Sequence, residues 1–386
     1  MHDHVLRYLT NTIPDWDEDE QLQIRSPGRI NIIGEHVDYT GGLVMPASID
    51  RSVDFAVRKL DKAVWRLHAV DIGETYTLTL PLEGGKTGKL WVDYLKGIGV
   101  QFQDEGNFLP GMEIVFGGNL PRGAGMSSSA ALEGGMAFIL NELLNTKLSR
   151  PDLAALCQRS SNTFLGIPTG IMDQYASLNG HAGGPIVINC STVTSEPVKN
   201  SLTDFRFILV NSMVSHDLSD GAYGRRVEEC ARALAAIQQS SPEVTHLSGA
   251  TQEDLDEVAA TLDPVIRKRA SYVIAENARV VDAITAIEAG SSHELGRLLN
   301  ATHAGLRDDY EVSCEEIDYL QRLATETEGV AGARLMGGGF GGCTINLVAD
   351  DSAEAFTHTI ISGYSSKYGI EPEVYPVRLN QGTHQL

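Results

Sequence analysis

A short stretch rich in glycine and serine contains the first residues whose types and spacing suit chemistry. It reads Pro121-Arg-Gly-Ala-Gly-Met-Ser-Ser-Ser-Ala130 and precedes a helical pattern. Backbone amides at the start of a helix carry partial positive charge and have no partners within the helix, so they favour phosphate. A flexible turn with serine N-caps accounts for the same residues. The local pattern leaves both interpretations open.

A second set combines charged and aromatic residues beside an apolar, strand-like run. Within eleven residues of a glycine-punctuated loop lie Arg29, Glu35, His36, Asp38 and Tyr39. Acidic groups with a histidine and a tyrosine suit a polyhydroxylated ligand, because each sugar hydroxyl both donates and accepts a hydrogen bond. Taken alone, the same cluster is typical of a solvated turn with one arginine salt bridge.

A third segment places one carboxylate among apolar residues. Asp173 lies in Gly166-Ile-Pro-Thr-Gly-Ile-Met-Asp-Gln174, directly after Ile171 and Met172. Because an unpaired buried carboxylate is costly, such an aspartate is either neutralised by an arginine or retained for proton transfer. Arg29 would serve both purposes if the fold brought the two segments together.

Two common nucleotide-binding motifs are excluded. Gly85-Lys86-Thr87 has the end of a G-x-x-x-x-G-K-[ST] loop, but position 80 is Leu, which breaks the motif. The glycines that begin at Gly123 do not fit G-x-G-x-x-G, because position 128 is Ser. A nucleotide would therefore have to bind through a different loop.

Hydrophobic periodicity predicts the elements that must position these residues. Alternating or continuous apolar runs predict strands at 30–33, 75–80, 112–116, 205–210 and 343–348. Two stripes with helical spacing are Leu132, Met136, Ile139, Leu140 and Leu143, and Val227, Cys230, Leu234 and Ile237. Near residue 195 the pattern changes from mixed to largely helical, which predicts two domains, 1–195 and 196–386.

Composition and charge narrow the class of protein. The 386 residues include 30 Lys and Arg against 51 Asp and Glu, a formal net charge of −21. This excess of negative charge disfavours nucleic acid and anionic membrane surfaces as partners. The sequence shows no secretory signal, no membrane-length apolar run and no cysteine spacing typical of zinc. We therefore expect a cytoplasmic protein with reduced cysteines, either a monomer or a weak homo-oligomer.

Six segments, taken together and in order, resemble the GHMP small-molecule kinase superfamily and, within it, the galactokinase family. They are residues 28–39, 123–130, 170–174, 223–226, 306–314 and 337–342. The first is similar to the family's signature, the second to its phosphate loop and the third to the segment with the catalytic aspartate. The resemblance implies an α/β (α+β) fold of two domains, with the active site in the cleft between them.

The resemblance also implies a reaction, the transfer of the γ-phosphoryl group of ATP to the C1 hydroxyl of α-D-galactose with Mg²⁺. By motif position, Asp173 is similar to the general base, and Arg29 to the residue that stabilises its charge and the transition state. The implied sugar contacts are Glu35, His36, Asp38, Gly170, Asp173 and Tyr223. The implied ATP contacts are Gly123, Ala124, Gly125, Met126, Ser127, Ser128 and Ser129, with Ser129 also a magnesium ligand and Trp91 near the adenine.

One position departs from the family pattern. Galactokinases usually carry a magnesium-binding glutamate twelve positions before the catalytic aspartate, and here that position is Ser161. Because Mg²⁺ often keeps several waters and relies on substrate phosphates, Ser129 and ATP oxygens would have to hold it. We expect weaker magnesium affinity than is usual for the family, and a gain in affinity on Ser161→Glu. The sequence leaves open whether another acid, distant in the chain, replaces the glutamate.

Two other functions stay open at this point. One is a related sugar kinase with a different acceptor, such as arabinose, N-acetylgalactosamine or a uronic acid. The other is a non-catalytic sensor that binds sugar and ATP. Ser161 favours the sensor, whereas the intact Arg29, Asp173 and Ser129 disfavour it.

Overall fold

The computed structural model describes residues 1–13, 16, 21–121, 123–215 and 219–386. The strands are β1 (Leu22–Ile33), β2 (Leu43–Lys59), β3 (Val64–Ala69), β4 (Glu74–Thr79), β5 (Met112–Gly118), β6 (Ile186–Asn189), β7 (Thr194–Pro197), β8 (Phe205–Ser215), β9 (Val330–Met336), β10 (Gly341–Ala349), β11 (Glu373–Val377) and β12 (His384–Gln385). The helices are α1 (Asp3–Thr12), α2 (Leu90–Asp104), α3 (Ser128–Leu144), α4 (Arg150–Arg159), α5 (Met172–Asn179), α6 (Ser219–Ile237), α7 (Gln252–Glu257), α8 (Pro264–Glu288), α9 (Ser292–Asp308), α10 (Glu315–Thr325) and α11 (Ala353–Tyr368).

The strands form two sheets. The first has the order β12-β1-β2-β5-β3-β4, with β6 and β7 attached through β2. All its pairs are antiparallel except β3 with β5. The second sheet, β11-β8-β10-β9, is antiparallel throughout. The strands predicted from apolar runs all coincide with these elements, the one at 75–80 ending one residue beyond β4, so those predictions are confirmed.

Strand β1 lies at the junction of the two sheets. It contacts α3 and α5 of the first half of the chain, and α8, α9 and β9 of the second. Its apolar side chains Ile24, Ile30, Ile32 and Ile33 are all fully buried. A strand covered on both faces reads as a nearly continuous apolar run, which is why polar side chains there, such as Arg29, need specific partners.

One hydrophobic cluster, which includes a residue of β1, joins the two halves of the chain. It includes Ile30 of β1, Met126 of the glycine-serine loop, Leu209 of β8, Val280 of α8 and Ile345 of β10. Interiors packed in this way are dense and resist small displacements. The strand and the loop that carry the predicted catalytic and phosphate-binding residues are therefore supported by both sheets.

The second half of the chain returns to the first sheet at its end. Ile24 of β1 pairs with Gln385 of β12, and Ile49 of β2 forms a bridge with Leu379. The division near residue 195 stays a prediction, with β7 of the first sheet ending at Pro197. All five cysteines are free. Among the described residues, no helix is long and apolar enough to cross a membrane.

Candidate functional site

The structure brings Arg29 and Asp173 together. Arg29 projects from β1, and Asp173 lies in the first turn of α5. The guanidinium donates from Nε to Asp173 Oδ1 and from Nη2 to Oδ2, each at 2.8 Å. Its Nη1 donates to the carbonyl of Gly125 at 2.5 Å. Two parallel hydrogen bonds align the plane of the guanidinium with the plane of the carboxylate. The orientation of the Asp173 carboxylate is therefore determined by β1, which carries Arg29.

The glycine-serine loop docks on the same carboxylate. Ser127 precedes α3 in the left-handed region, with φ of 54°, and its side chain makes no N-cap hydrogen bond. The hydroxyl donates instead to Asp173 Oδ2. The N-cap interpretation is therefore wrong for Ser127, and this hydrogen bond places the start of α3 beside the Asp173 carboxylate. Position 122 of this loop lies outside the described residues.

A cavity of about 250 Å³ opens above Arg29 and Asp173. It is lined by Arg29, Glu35, His36, Asp38, Pro168, Thr169, Gly170, Met172, Asp173, Tyr223, Gly337 and Gly338. Every residue that the sequence suggested as a sugar contact belongs to this set. The size suits a ligand of about a dozen heavy atoms, and the lining offers carboxylates and ring groups on several sides.

Burial shifts the titration of two groups in this cavity. It lowers the pKa of His36 to about 4, so the ring is neutral at pH 7. Its Nδ1 lies 3.0 Å from the Tyr39 hydroxyl, and its Nε2 has no hydrogen-bond partner among the described residues. Burial, together with the charges of Asp173 and Glu35, raises the pKa of Asp38 to about 7. Both groups therefore have hydrogen-bonding capacity that a polar ligand would satisfy.

The loop that carries these groups is held by residues of the second half of the chain. Arg334 of β9 is fully buried, and its Nη1 donates to Glu35 Oε2 at 2.7 Å. Its Nε and Nη2 donate to the carbonyls of Ile32 and Asn31 at 2.9 and 2.6 Å. Glu276 of α8 accepts from the amide of Gly34 at 2.9 Å.

Sequence reasoning missed both Arg334 and Glu276. Each lies in a motif-free element, and its partner is more than 240 residues away. A signal did exist for Arg334, because an arginine inside an apolar strand pattern requires a buried acid or several carbonyls.

A second cavity, of about 410 Å³, lies beside the start of α3. Its lining is mainly apolar and includes Val53, Ala69, Ile72, Leu90, Trp91, Tyr94, Phe116, Leu120, Ser128, Ser129 and Leu132. Trp91 is held in place by a hydrogen bond from its Nε1 to Glu74 Oε2 at 3.1 Å. The flat aromatic base of a nucleotide fits such walls. The phosphates of that nucleotide would then lie near the serines at the start of α3.

One further carboxylate near the loop was also missed. Glu133 of α3 is fully buried and accepts a hydrogen bond from Ser161 at 2.7 Å. Burial raises the pKa of Glu133 to about 7. Ser161, the position where the family pattern has an acid, is thus in direct contact with an acid supplied by another helix.

Comparison with protein families agrees with this arrangement. The "GHMP kinases N terminal domain" matches residues 93–181, and the "GHMP kinases C terminal" model matches residues 283–364. The "Galactokinase galactose-binding signature" matches residues 16–59, which include the loop with Glu35, His36 and Asp38. A galactokinase of Clostridium beijerinckii is 37% identical over 373 residues, which cover 96% of this chain and 96% of that protein.

The chain belongs to the galactokinase family. A galactokinase of Thermotoga maritima is 34% identical and is covered over its whole length. The crystal structure of Lactococcus lactis galactokinase complexed with galactose superposes with a TM-score of 0.92 at 33% identity, covering 99% of this chain and 98% of that one. A mevalonate kinase matches with a TM-score of 0.64 at 16% identity, which shows the fold alone. The predicted GHMP kinase fold of mixed α and β structure is therefore confirmed.

Proposed function

We propose that this chain is an ATP-dependent galactokinase that transfers the γ-phosphoryl group of ATP to the C1 hydroxyl of α-D-galactose, giving galactose 1-phosphate and ADP. Membership of the family supports the reaction. The single observation that carries it is the position of Asp173, which lines the polar cavity, is held by Arg29 and receives a hydrogen bond from Ser127 of the phosphate loop. One carboxylate thus joins a sugar-sized cavity to a phosphate-binding helix start.

Asp173 is the proposed general base. Its side chain is one-third exposed, so it can reach a ligand in the cavity while Arg29 fixes its orientation. The C1 hydroxyl of galactose is a hemiacetal and more acidic than an ordinary alcohol, so a carboxylate suffices to accept its proton. As the hydroxyl oxygen attacks, Arg29 stabilises the negative charge that remains on Asp173 and on the transferred group.

The sugar is proposed to bind Glu35, His36, Asp38, Gly170 and Tyr223. A Cβ atom at Gly170 would lie 1.6 Å from Asp38 Oδ2, so only glycine lets the Asp38 carboxylate occupy its place. Neutral His36 both donates and accepts through its ring nitrogens, and burial raises the pKa of Tyr223 well above its usual value, so its hydroxyl keeps its proton. Such a set can pair with several hydroxyls at once.

ATP is proposed to bind along the second cavity. Its base would lie against Trp91, and its phosphates against the amides of Gly123, Ala124, Gly125, Met126, Ser127, Ser128 and Ser129. The apolar lining around Trp91 and the start of α3 beside it support this placement. The positive end of the helix dipole favours the phosphates.

Mg²⁺ is the proposed metal. The donors near the start of α3 are oxygens, which suit a hard cation, and Ser129, the proposed ligand, lines the cavity at this helix start. Among the described residues, no group of three His, Cys, Asp or Glu side chains could hold a metal ion without substrate. Mg²⁺ usually keeps waters and substrate phosphates as ligands, so ATP oxygens would complete its coordination. When bound, it supplies positive charge to the phosphate oxygens.

The remaining expectations also stay proposals. We propose a cytoplasmic enzyme that is a monomer or weak homo-oligomer and that uses neither nucleic acid nor a membrane as partner. Free cysteines and a net charge of −21 support this.

The proposed function is tested by ADP release from Mg·ATP with a panel of sugars, namely galactose, arabinose, N-acetylgalactosamine and galacturonate. We expect galactose to give the highest kcat/KM, with a product whose phosphorus NMR signal is that of a C1 phosphate. Faster turnover of another sugar would replace galactose as the substrate. Binding of galactose and ATP without ADP release would identify a sensor instead.

A further inference from the structure

Glu133 lies beside the phosphate loop without a compensating positive charge. Its side chain is 0% exposed. Ser161 Oγ donates to one carboxylate oxygen at 2.7 Å, and Gln174 Nε2 donates to the other at 3.3 Å. Among the described residues, no lysine, arginine or histidine is paired with it. A buried carboxylate with only neutral donors is costly in its charged form, and a bound cation would offset that cost.

The position of Glu133 on α3 points to the nature of that partner. Glu133 is one turn after Ser129, and side chains on a helix tilt toward its N-terminus, so the carboxylate extends back toward the phosphate end. Tyr94, which lines the nucleotide cavity, hydrogen-bonds Ser129 and is affected by the charge of Glu133. Asp173 also acts on Glu133 electrostatically. By position, Glu133 is four residues from Ser129 on the same helix, and it contacts Gln174, which directly follows the proposed base in sequence.

A second buried oxygen close to Glu133 also has no partner. Gln174 is 3% exposed, and its Oε1 accepts no hydrogen bond from the described residues. It belongs to the same amide group whose Nε2 contacts Glu133. A carboxylate, an amide oxygen and a hydroxyl are the ligand types that Mg²⁺ prefers.

We propose that Glu133 supplies the protein carboxylate of the Mg·ATP site, together with Ser129 and the amide oxygen of Gln174, in place of an acid at position 161. The inference rests on the proposed function. Ser161 then acts as a positioning residue, because its hydroxyl holds the carboxylate of Glu133 from the other side. Glu133 of α3 would thus supply the carboxylate that the family pattern has at position 161.

The test compares the affinity for the non-hydrolysable ATP analogue AMP-PNP with Mg²⁺ and with EDTA, measured by calorimetry on the full chain. The ratio of the two affinities reports the metal and not the activity. We expect Glu133→Gln to reduce this ratio at least tenfold while the affinity in EDTA stays within about twofold. Glu142→Gln, which removes an exposed acid from the same helix, should leave the ratio unchanged.

A carboxylate swap keeps the proposal testable if Glu133→Gln does not fold. In the double variant Glu133→Gln, Ser161→Glu, the carboxylate is moved from position 133 to position 161, its hydrogen-bond partner. The ratio of the AMP-PNP affinities with Mg²⁺ and with EDTA should therefore recover to within threefold of wild type. A folded Glu133→Gln protein with an unchanged ratio would overturn the proposal. So would an equal loss with and without Mg²⁺, or a folded swap variant with no metal enhancement.

Turnover assays beside the binding measurements separate this inference from the proposed function. If wild type phosphorylates galactose and Glu133→Gln keeps its metal enhancement, only the ligand assignment is wrong. If wild type binds Mg·AMP-PNP through Glu133 but releases no ADP with any sugar, the proposed function is wrong and the ligand assignment stands.

Discussion

The sugar cavity takes its walls from both halves of the chain, whereas the nucleotide cavity takes its walls from residues 53–132 alone. The first is lined by ionisable groups, which include Glu35 and Asp38, and by glycines of the segment 337–338. The second is mainly apolar. If the cavities bind as proposed, recognition of a sugar depends on long-range polar contacts, and recognition of a base depends on a local apolar slot.

This difference has an energetic consequence. Removal of one partner of a buried polar contact is strongly destabilising, because the other partner is left buried and unpaired. Apolar walls lose only the area that is deleted. We therefore expect substitutions around the sugar to have large, selective effects, and substitutions around the base to have small ones.

The largest effect is expected at Asp173, which lines the polar cavity and accepts a hydrogen bond from Ser127 of the glycine-serine loop. Asp173→Asn removes the proposed base while keeping the size of the side chain, and it should lower kcat by about 10²–10⁴-fold. Affinities for galactose and AMP-PNP should change by much less, as calorimetry would show. Retention of most of the turnover by a folded variant would rule out Asp173 as the base.

The next largest effect is expected at Arg334, which holds Glu35 across the two halves. Arg334→Met leaves Glu35 buried without its cation, and the loss of one partner of such a pair costs about 3–5 kcal/mol of unfolding free energy. The KM for galactose should rise while the affinity for AMP-PNP is retained.

The double variant Arg334→Met, Glu35→Gln serves as the control for this prediction. It should regain part of the unfolding free energy, because the unpaired charge is removed, but not the affinity for galactose. Equal effects of Arg334→Met on galactose and nucleotide binding would contradict the contrast between the cavities.

A smaller and more local effect is expected at Gly170. In Gly170→Ala the new methyl group meets the Asp38 carboxylate, which must move out of the cavity. Loss of one hydrogen bond to a charged group is worth about 1.5–3 kcal/mol, so the KM for galactose should rise roughly 10–100-fold. Gly224→Ala, next to Tyr223 and with open space around the added atom, is the matched control and should have little effect.

The sequence predicted the parts of the site that depend on local motifs. Arg29 was a partner for Asp173 only if the fold brought the two segments together, and the two side chains are paired although 144 residues separate them. The motif-based sugar contacts all line one cavity. The motif residues come together because they are carried by a strand, a loop and a helix start whose patterns are visible within short windows, and their roles stay predictions.

What the sequence did not predict depends on packing between distant elements. The contact of Ser161 with Glu133 arises because α4 packs on α3 and Ser161 lies directly after the end of α4, and no spacing rule connects two such positions 28 residues apart. Arg334 and Glu35 are 299 residues apart and meet only through the junction of the two sheets. The hydroxyl of Ser127 satisfied an N-cap pattern, but tertiary contact with Asp173 prevailed.

On the apolar side of the comparison, the effect of one residue should be modest. Trp91→Leu removes the aromatic wall of the nucleotide cavity but keeps it apolar, and an aromatic contact is worth about 1 kcal/mol beyond its area. The KM for ATP should therefore rise roughly fivefold, with the KM for galactose unchanged. A rise in the KM for galactose of the same size would show that the two cavities are not independent.

The smallest effect is expected from the charge of Asp38. Its pKa in the folded protein, about 7, exceeds the value of an unfolded aspartate, 3.8, so the folded state holds the proton more tightly. Stability from the protonated form is full below pH 4 and is lost as the pH rises through 7. Asp38→Asn does not titrate, so its melting temperature relative to wild type should increase by a few degrees between pH 5.5 and 8.

The opposite trend of His36, whose folded pKa is about 4, is present in both proteins and cancels in the difference. A difference that stays constant across this range would mean that Asp38 is solvated in the free enzyme, and the sugar cavity would then be less strained before ligand binds than its buried charges indicate.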